Sequence, residues 1–171
     1  KPDYFNIDYF EKALDEIHQV IVNQIDGLYE SLILDLKHKV KIFGFHFASL
    51  DIRQDSRIHK QVFDEIFSHP DIRKYVEGLP ENFDELDTPS RHHVLTTLKG
   101  DVPAEIFETT ITKETLGSIR AMRVIQQRNG ERGCNRYIIS NCQTIDNILE
   151  LFALHKICNW DQPTVDIIPL F

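Results

Sequence analysis

Arg53 is the residue of this sequence best suited to chemistry. It lies at the end of the apolar run 42–52, directly before the polar residues 54–56. A guanidinium at the end of a buried strand is costly unless it meets an anion, and its planar fork matches two oxygens of a phosphate or a carboxylate. The alternative is a structural ion pair with Asp51, with Asp55 or with a more distant acidic residue. The sequence therefore predicts either a bound oxyanion or an internal ion pair at Arg53.

Other reactive side chains have less favourable spacing. His59 could hydrogen-bond near Arg53, although a solvated or capping histidine is the commoner role. The adjacent His92 and His93 would point to different sides of a helix, which is poor geometry for a metal. Cys142 has His155 downstream but no third group in the sequence to support a nucleophile. We expect neither a metal site nor a nucleophilic triad from these residues.

The helices that must position Arg53 follow from apolar spacing. Apolar residues recur at three- and four-residue steps from Ile7 to Ile25, after Asn6, and this pattern predicts a capped amphipathic helix. Asp55 or Ser56 can cap another helix directly after Arg53. The remaining helices are predicted over residues 27–39, in short pieces within 70–100, over 112–127 and after Thr144.

Three segments are predicted as strands, namely residues 42–52, 137–140 and 165–168. The first is apolar at nearly every position, which is typical of a strand buried on both faces. Helical crossovers between strands indicate parallel pairing. Three strands cannot close a barrel, so we expect a helix-rich α/β fold that forms an open arc of a TIM-type barrel.

In such a barrel the active site lies at the carboxyl ends of the strands. Those ends are residues 53–54, 140–141 and 169–171. Residues 1–40 would form a helical lead-in, and residues 41–171 would form the partial barrel with inserted helices. The chain begins at Lys1 and ends inside an apolar run at Phe171, so we expect a single internal segment of a larger enzyme.

Composition excludes several classes of protein. The chain has 171 residues, with 19 basic and 27 acidic side chains and a net charge of −8. This acidic balance argues against nucleic acid and anionic membranes as partners. No apolar run approaches the length of a membrane span. The 3 cysteines include no CxxC pair, which argues against a disulfide scaffold and favours a reducing cytoplasm.

Three segments carry a resemblance to a known family. Residues 43–59, with Asp-Ile-Arg-Gln at 51–54 and then an acid, a serine and a histidine, closely resemble a stretch of the phosphoenolpyruvate carboxylase family. Residues 137–140 with the helix that follows, and residues 165–171 ending in Pro-Leu-Phe, are similar to two later stretches in the same order. Residues 141–143 depart from the family pattern, which has methionine and small or polar residues there.

The resemblance implies a lyase that fixes carbon dioxide. Bicarbonate and phosphoenolpyruvate would give oxaloacetate, which feeds the tricarboxylic acid cycle, and inorganic phosphate. The full-length enzyme would use Mg²⁺ or Mn²⁺, form a homotetramer and work in the cytoplasm. Arg53 would contact the substrate phosphate, with Gln54, Ser56 and His59 as supporting residues. The family's metal-binding glutamate would lie just after Phe171, so we expect this chain alone to hold no metal and to be inactive.

Two alternatives remain open from the sequence. One is a non-catalytic helical interaction module that shares the motif by chance, which the acidic, helix-rich chain would suit. The other is a piece of a different phosphate-handling α/β barrel enzyme, kinase-like or aldolase-like, with another metal set.

Overall fold

The computed structural model describes residues 6–171, which divide into two compact units, residues 6–49 and residues 50–171. The first unit contains α1 (Ile7–Gln24) and α2 (Glu30–Phe43). Asn6 Oδ1 accepts a hydrogen bond from the Tyr9 amide at 2.8 Å, which confirms the predicted cap of α1. The core of this unit is small, because among residues 6–49 only Leu14, Ile33 and Val40 are buried.

The second unit contains the sheet. In chain order its elements are β1 (Asp51–Asp55), α3 (Ser56–Ser68), β2 (Val76–Glu77), α4 (Thr88–Thr97), β3 (Lys99–Gly100), α5 (Thr110–Asn129), β4 (Arg136–Ser140), α6 (Ile145–Lys156) and β5 (Asp166–Pro169). None of the helices described between residues 6 and 171 is long and apolar enough to cross a membrane.

Three strands form one parallel sheet in the order β1-β4-β5. In their register Arg53 pairs with Ile138, and Ile138 pairs with Ile168. The prediction of a helix-rich α/β fold with three parallel strands and helical crossovers is therefore confirmed. A short antiparallel pair, β2 with β3, was not predicted.

Helices of the second unit cover one face of this sheet. Tyr137 and Ile139 of β4 are buried in the main core, and Ile52 and Ile167 pack against it. The other face carries Arg53, Ile138 and Ile168, and among the described residues none of these three belongs to the core. The sheet therefore has a face that packs on helices and a face that the second unit leaves uncovered.

The prediction of a long strand over residues 42–52 is wrong. Helix α2 continues through Phe43, and β1 begins only at Asp51. Gly44 and Phe47 between them have φ values of 52° and 61°, which an extended strand does not adopt. Phe47 is 83% exposed, so the apolar run is not buried on either face of a sheet. Apolar content alone does not distinguish a helix end with an exposed loop from a buried strand.

The later elements agree with their predictions. Helix α5 includes the predicted range and buries Leu116, Ile119 and Met122. Helix α6 begins after Thr144, which forms a capping box with Asn147. Together these elements place the ends of β1 and β4 beside the first turns of α3 and α6.

Candidate functional site at the carboxyl edge of the sheet

The ends of the three parallel strands lie together, but β1 ends at Asp55 and not before residues 53–54 as predicted, so Arg53 is the middle residue of the strand. Asp55 is the register partner of Ser140, the last residue of β4. The Leu170 amide donates to the Ile139 carbonyl at 2.8 Å, and the Leu170 carbonyl accepts from the Cys142 amide at 2.8 Å. The backbone after β5 is therefore fastened to the backbone around the end of β4, and all three ends form one edge.

Arg53 lies exposed on the uncovered face, close to this edge. Asp51, the first predicted ion-pair partner, instead bonds Arg136 at 3.0 Å, and Asp55, the second, bonds Arg57. Within residues 6–171 the guanidinium of Arg53 has neither a hydrogen bond nor an ion pair. The alternative of an ion pair between Arg53 and Asp51, Asp55 or a more distant acid is therefore wrong within the described residues, and the guanidinium is exposed.

The pairing of Asp55 explains which arginine is available. Its carboxylate accepts hydrogen bonds from Arg57 Nε at 2.9 Å and from Arg57 Nη2 at 2.8 Å. The same carboxylate caps α3 by accepting from the Arg57 amide at 2.9 Å. These hydrogen bonds lower the pKa of Asp55 to about 2, so the carboxylate is ionised at neutral pH. Arg57 is thus neutralised locally, whereas Arg53 is not.

Gln54 and Ser56 hold the edge together. The side-chain oxygen of Gln54 accepts a hydrogen bond from the Asp55 amide at 3.0 Å. The backbone carbonyl of Gln54 accepts a hydrogen bond from Ser140 Oγ at 3.4 Å. Ser56 is buried, and its hydroxyl donates to the Asn141 carbonyl at 2.6 Å. Both residues therefore contact the backbone of β1 or β4 around Arg53 and do not themselves face the uncovered side.

His59 is placed differently from the expectation of a solvated or capping histidine. It is 0% exposed, and its Nε2 lies 3.1 Å from the Tyr137 hydroxyl. Position 59 belongs to the buried face of α3 together with Val62 and Phe63, which is why the ring enters the core. Burial lowers the pKa of His59 to about 4, so the ring is neutral at pH 7. His59 therefore supports β4 from the covered face and is not brought to Arg53.

A polar cleft beside the edge was missed in the sequence. It has a volume of about 280 Å³, and its lining residues are Ser56, Arg57, Lys60, Asn141, Gln143 and Asn147. The lining contains amides, a hydroxyl and two cations but no carboxylate. The signal that could have revealed it is position, because residues directly after β4 must lie at the same edge as the end of β1.

The remaining candidates form no reactive centre. His92 Nε2 lies 2.7 Å from Asp146 Oδ1 across α4 and α6. Burial raises the pKa of the Cys142 thiol, which makes it a poor nucleophile. In the part of the chain that the structure describes, no three histidine, cysteine, aspartate or glutamate side chains lie close enough to hold a metal ion.

Comparison with known proteins decides what this edge belongs to. The sequence model named phosphoenolpyruvate carboxylase matches residues 1–171, the whole chain. The chain belongs to the phosphoenolpyruvate carboxylase family. This membership excludes a motif shared by chance, and it also excludes a different family of phosphate-handling barrel enzymes.

Curated relatives agree with the family match. The phosphoenolpyruvate carboxylase of Prochlorococcus marinus strain MIT 9515 is 31% identical over 156 residues, which cover 91% of this chain and 15% of the relative. That of Nitrosomonas eutropha is 35% identical over 159 residues, which cover 87% of this chain and 16% of the relative. That of Thermosynechococcus vestitus is 33% identical over 146 residues, or 80% of this chain and 14% of the relative. The chain thus spans about 15% of the length of these carboxylases.

Proposed function

We propose that this chain is the part of a phosphoenolpyruvate carboxylase that binds the phosphate of phosphoenolpyruvate, and that Arg53 makes the contact. The observation that carries the proposal is the guanidinium of Arg53, which has no partner among residues 6–171 and lies on the uncovered face near the carboxyl edge of a parallel sheet. Ligands of open α/β sheets and of barrels bind at that edge. The names of the relatives support phosphoenolpyruvate as the ligand.

The chemistry suits a fixed positive charge at this position. An oxygen of bicarbonate bonds to phosphorus while the bond from phosphorus to the enol oxygen breaks, giving carboxyphosphate and an enolate. Carboxyphosphate then releases carbon dioxide and phosphate, and the enolate carbon takes up the carbon dioxide to give oxaloacetate. Negative charge spreads over the phosphoryl oxygens during the first step, and Arg53 would hold two of them through its planar fork. Because no carboxylate among the described residues binds the guanidinium of Arg53, no internal ion pair has to break before the phosphate binds.

Three further residues would act in support of Arg53. Gln54 and Ser56 would keep the ends of β1 and β4 in place, Gln54 through its backbone carbonyl to the Ser140 hydroxyl and Ser56 through its hydroxyl to the Asn141 carbonyl. His59 would act from the covered face, where it contacts Tyr137. None of the three would touch the phosphate itself.

The larger assembly is also a proposal. The uncovered face supports a TIM-type barrel in which residues 41–171 form an arc and further strands enclose Arg53. The resemblance assigns Mg²⁺ or Mn²⁺ to the enzyme, but the described residues contain no ligand set that fits a metal, so its ligands would come from elsewhere and no step is assigned to it. A homotetramer and a cytoplasmic location follow from the resemblance as well.

Substitution of Arg53 in the full-length carboxylase tests the proposal. Arg53→Ala should lower kcat/KM for phosphoenolpyruvate by roughly 10- to 200-fold, because it removes a charge-assisted contact of about 1.5–3 kcal/mol. Arg53→Lys should recover only part of this loss, since an ammonium cannot make the planar two-bond contact. Arg73→Ala is the control, because Arg73 is an exposed arginine after the other end of α3 that donates to the Pro80 carbonyl at 3.0 Å, and we expect kcat/KM to stay within about threefold of the parent.

Melting temperature measured on the same preparations separates binding from folding. Arg53 is exposed, so its replacement should leave the melting temperature almost unchanged. A large loss of thermal stability with an unchanged kcat/KM would refute the role of Arg53 in phosphate binding.

A further inference from the structure

Helix α3 is attached to β4 by two side chains of its first turns. Ser56 Oγ donates to the Asn141 carbonyl at 2.6 Å, directly after the strand. His59 Nε2 is hydrogen-bonded to the Tyr137 hydroxyl at 3.1 Å, near the start of the strand. Residues 56 and 59 are three apart, so both lie on the side of the helix that faces the sheet. Two attachments on one strand define both the position and the rotation of α3 over β4.

The attachment at Tyr137 lies entirely inside the core. His59 is 0% exposed and Tyr137 is 1% exposed. Among the described residues His59 Nδ1 has no hydrogen-bond partner, so burying this ring is only partly compensated. Replacing such a polar pair with apolar side chains of similar shape is often neutral for stability. The pair therefore contributes less to stability than to selecting one arrangement of α3 on the sheet.

That arrangement determines where Arg53 lies. No loop separates β1, which ends at Asp55, from α3, which begins at Ser56. A shift of α3 along β4 must therefore move the end of β1. Tyr137 is also the register partner of Ile52, the residue before Arg53. Tyr137 therefore adjoins the backbone just before Arg53, and its side chain lies on the opposite face of the sheet.

We propose that Tyr137 is a positioning residue for the substrate phosphate. By holding His59, its hydroxyl fixes the first turn of α3 and with it the place of Arg53 on the uncovered face. This inference rests on the proposed role of Arg53. A displacement of about 1 Å in a phosphate contact weakens binding without changing the identity of any group that touches the substrate.

The surroundings of Tyr137 allow a substitution that removes its hydroxyl and keeps its ring. Its ring lies between two histidines, with centroid distances of 5.4 Å to His59 and 5.6 Å to His155. Tyr137→Phe keeps the ring and the core filled, removes the hydrogen bond to His59 Nε2, and also removes the hydrogen bond between the hydroxyl and Ser118. Thr112→Val is a matched control, because Thr112 is also 0% exposed and its hydroxyl donates to Glu65 near the other end of α3 at 2.6 Å.

The test compares these variants in the full-length carboxylase. Tyr137→Phe should raise KM for phosphoenolpyruvate about 3- to 10-fold while kcat stays within about twofold. Both substitutions remove a buried hydrogen bond, so we expect Tyr137→Phe and Thr112→Val to lower the melting temperature by similar amounts. Thr112→Val should nevertheless leave KM unchanged. If Tyr137 acts through Arg53, adding Tyr137→Phe to Arg53→Ala should change KM no further, because coupled residues are not additive.

The outcomes separate this inference from the proposed function. A raised KM in Arg53→Ala with an unchanged KM in Tyr137→Phe would overturn the positioning role and leave the phosphate contact standing. An equal rise of KM in Tyr137→Phe and Thr112→Val would also overturn it, because any loosening of α3 would then suffice. An unchanged kcat/KM in Arg53→Ala would overturn the proposed function and this inference with it.

Discussion

The carboxylate of Glu150, on α6, is buried in the core, and its Oε1 lies 3.8 Å from Nη2 of Arg91, on α4. The side chain of Glu150 is 2% exposed, whereas that of Arg91 is 29% exposed. Lys60 of α3 approaches the same carboxylate oxygen at 3.7 Å. Burial raises the pKa of Glu150, and the two cations oppose that effect. One buried acid thus joins three helices of the second unit through cations that still reach solvent.

This asymmetry predicts unequal effects on stability. Arg91→Ala should lower the free energy of unfolding by about 2 kcal/mol, because it leaves a buried carboxylate with only Lys60 nearby. Glu150→Gln should cost less than about 1 kcal/mol, since both cations can turn to water. In the Glu150→Gln background, Arg91→Ala should then lower the free energy of unfolding by less than it does in the parent. Urea unfolding of the four proteins measures the cycle, and strictly additive losses would contradict the pairing.

Acid should destabilise the second unit through its buried histidines. Burial lowers the pKa of His59 and of His155 to about 4, from an unfolded value near 6.5. As the pH falls below 6.5, the unfolded chain binds protons that the folded chain does not. The free energy of unfolding should therefore fall by about 2–3 kcal/mol for each histidine between pH 7 and pH 4.5. The pKa of Asp55 is lowered to about 2, so its contribution is lost only at more acidic pH.

Two variants test whether the buried histidines cause this pH dependence. His155→Leu should remove about half of the fall in unfolding free energy between pH 7 and pH 4.5. His93→Leu should leave the fall unchanged, because His93 is exposed. Chemical unfolding at the two pH values measures both, and an equal pH dependence in the parent and in His155→Leu would show that these histidines are not its source.

The 171-residue chain on its own should show no carboxylase activity. Residues 6–171 contain no set of side chains that could hold a metal ion, and Arg53 alone cannot replace the full set of charges that stabilises the transition state. A coupled assay for oxaloacetate with Mg²⁺ or Mn²⁺ present measures this, with Arg53→Ala as the blank. Turnover above the blank would mean that the chain contains more of the active site than its residues indicate.

The carboxyl edge was predictable because strand order and motif point to the same residues. Because Arg53 belongs to a strand of a parallel sheet, its place near the carboxyl edge follows from topology, but it is the middle residue of β1 and does not follow the strand as predicted. The partners of Asp51 and Asp55 were not predictable, because several arginines compete for them and distance decides. The burial of His59 was also missed, since position 59 could face either solvent or core until the packing of α3 on β4 was known. The strand predicted over residues 42–50 was wrong because the apolar run continues from a helix into an exposed loop.

The long separation between β1 and β4 has a consequence during protein synthesis. Asp51 pairs with Arg136, so the strand that carries Arg53 has no partner in the sheet until 85 further residues have been made. At roughly 5–20 residues per second the ribosome needs several seconds or more for that stretch. Until then, β1 presents unpaired backbone groups that other chains could bind. The polar residues of β1, Arg53 among them, therefore help to keep the nascent chain from aggregating before β4 emerges.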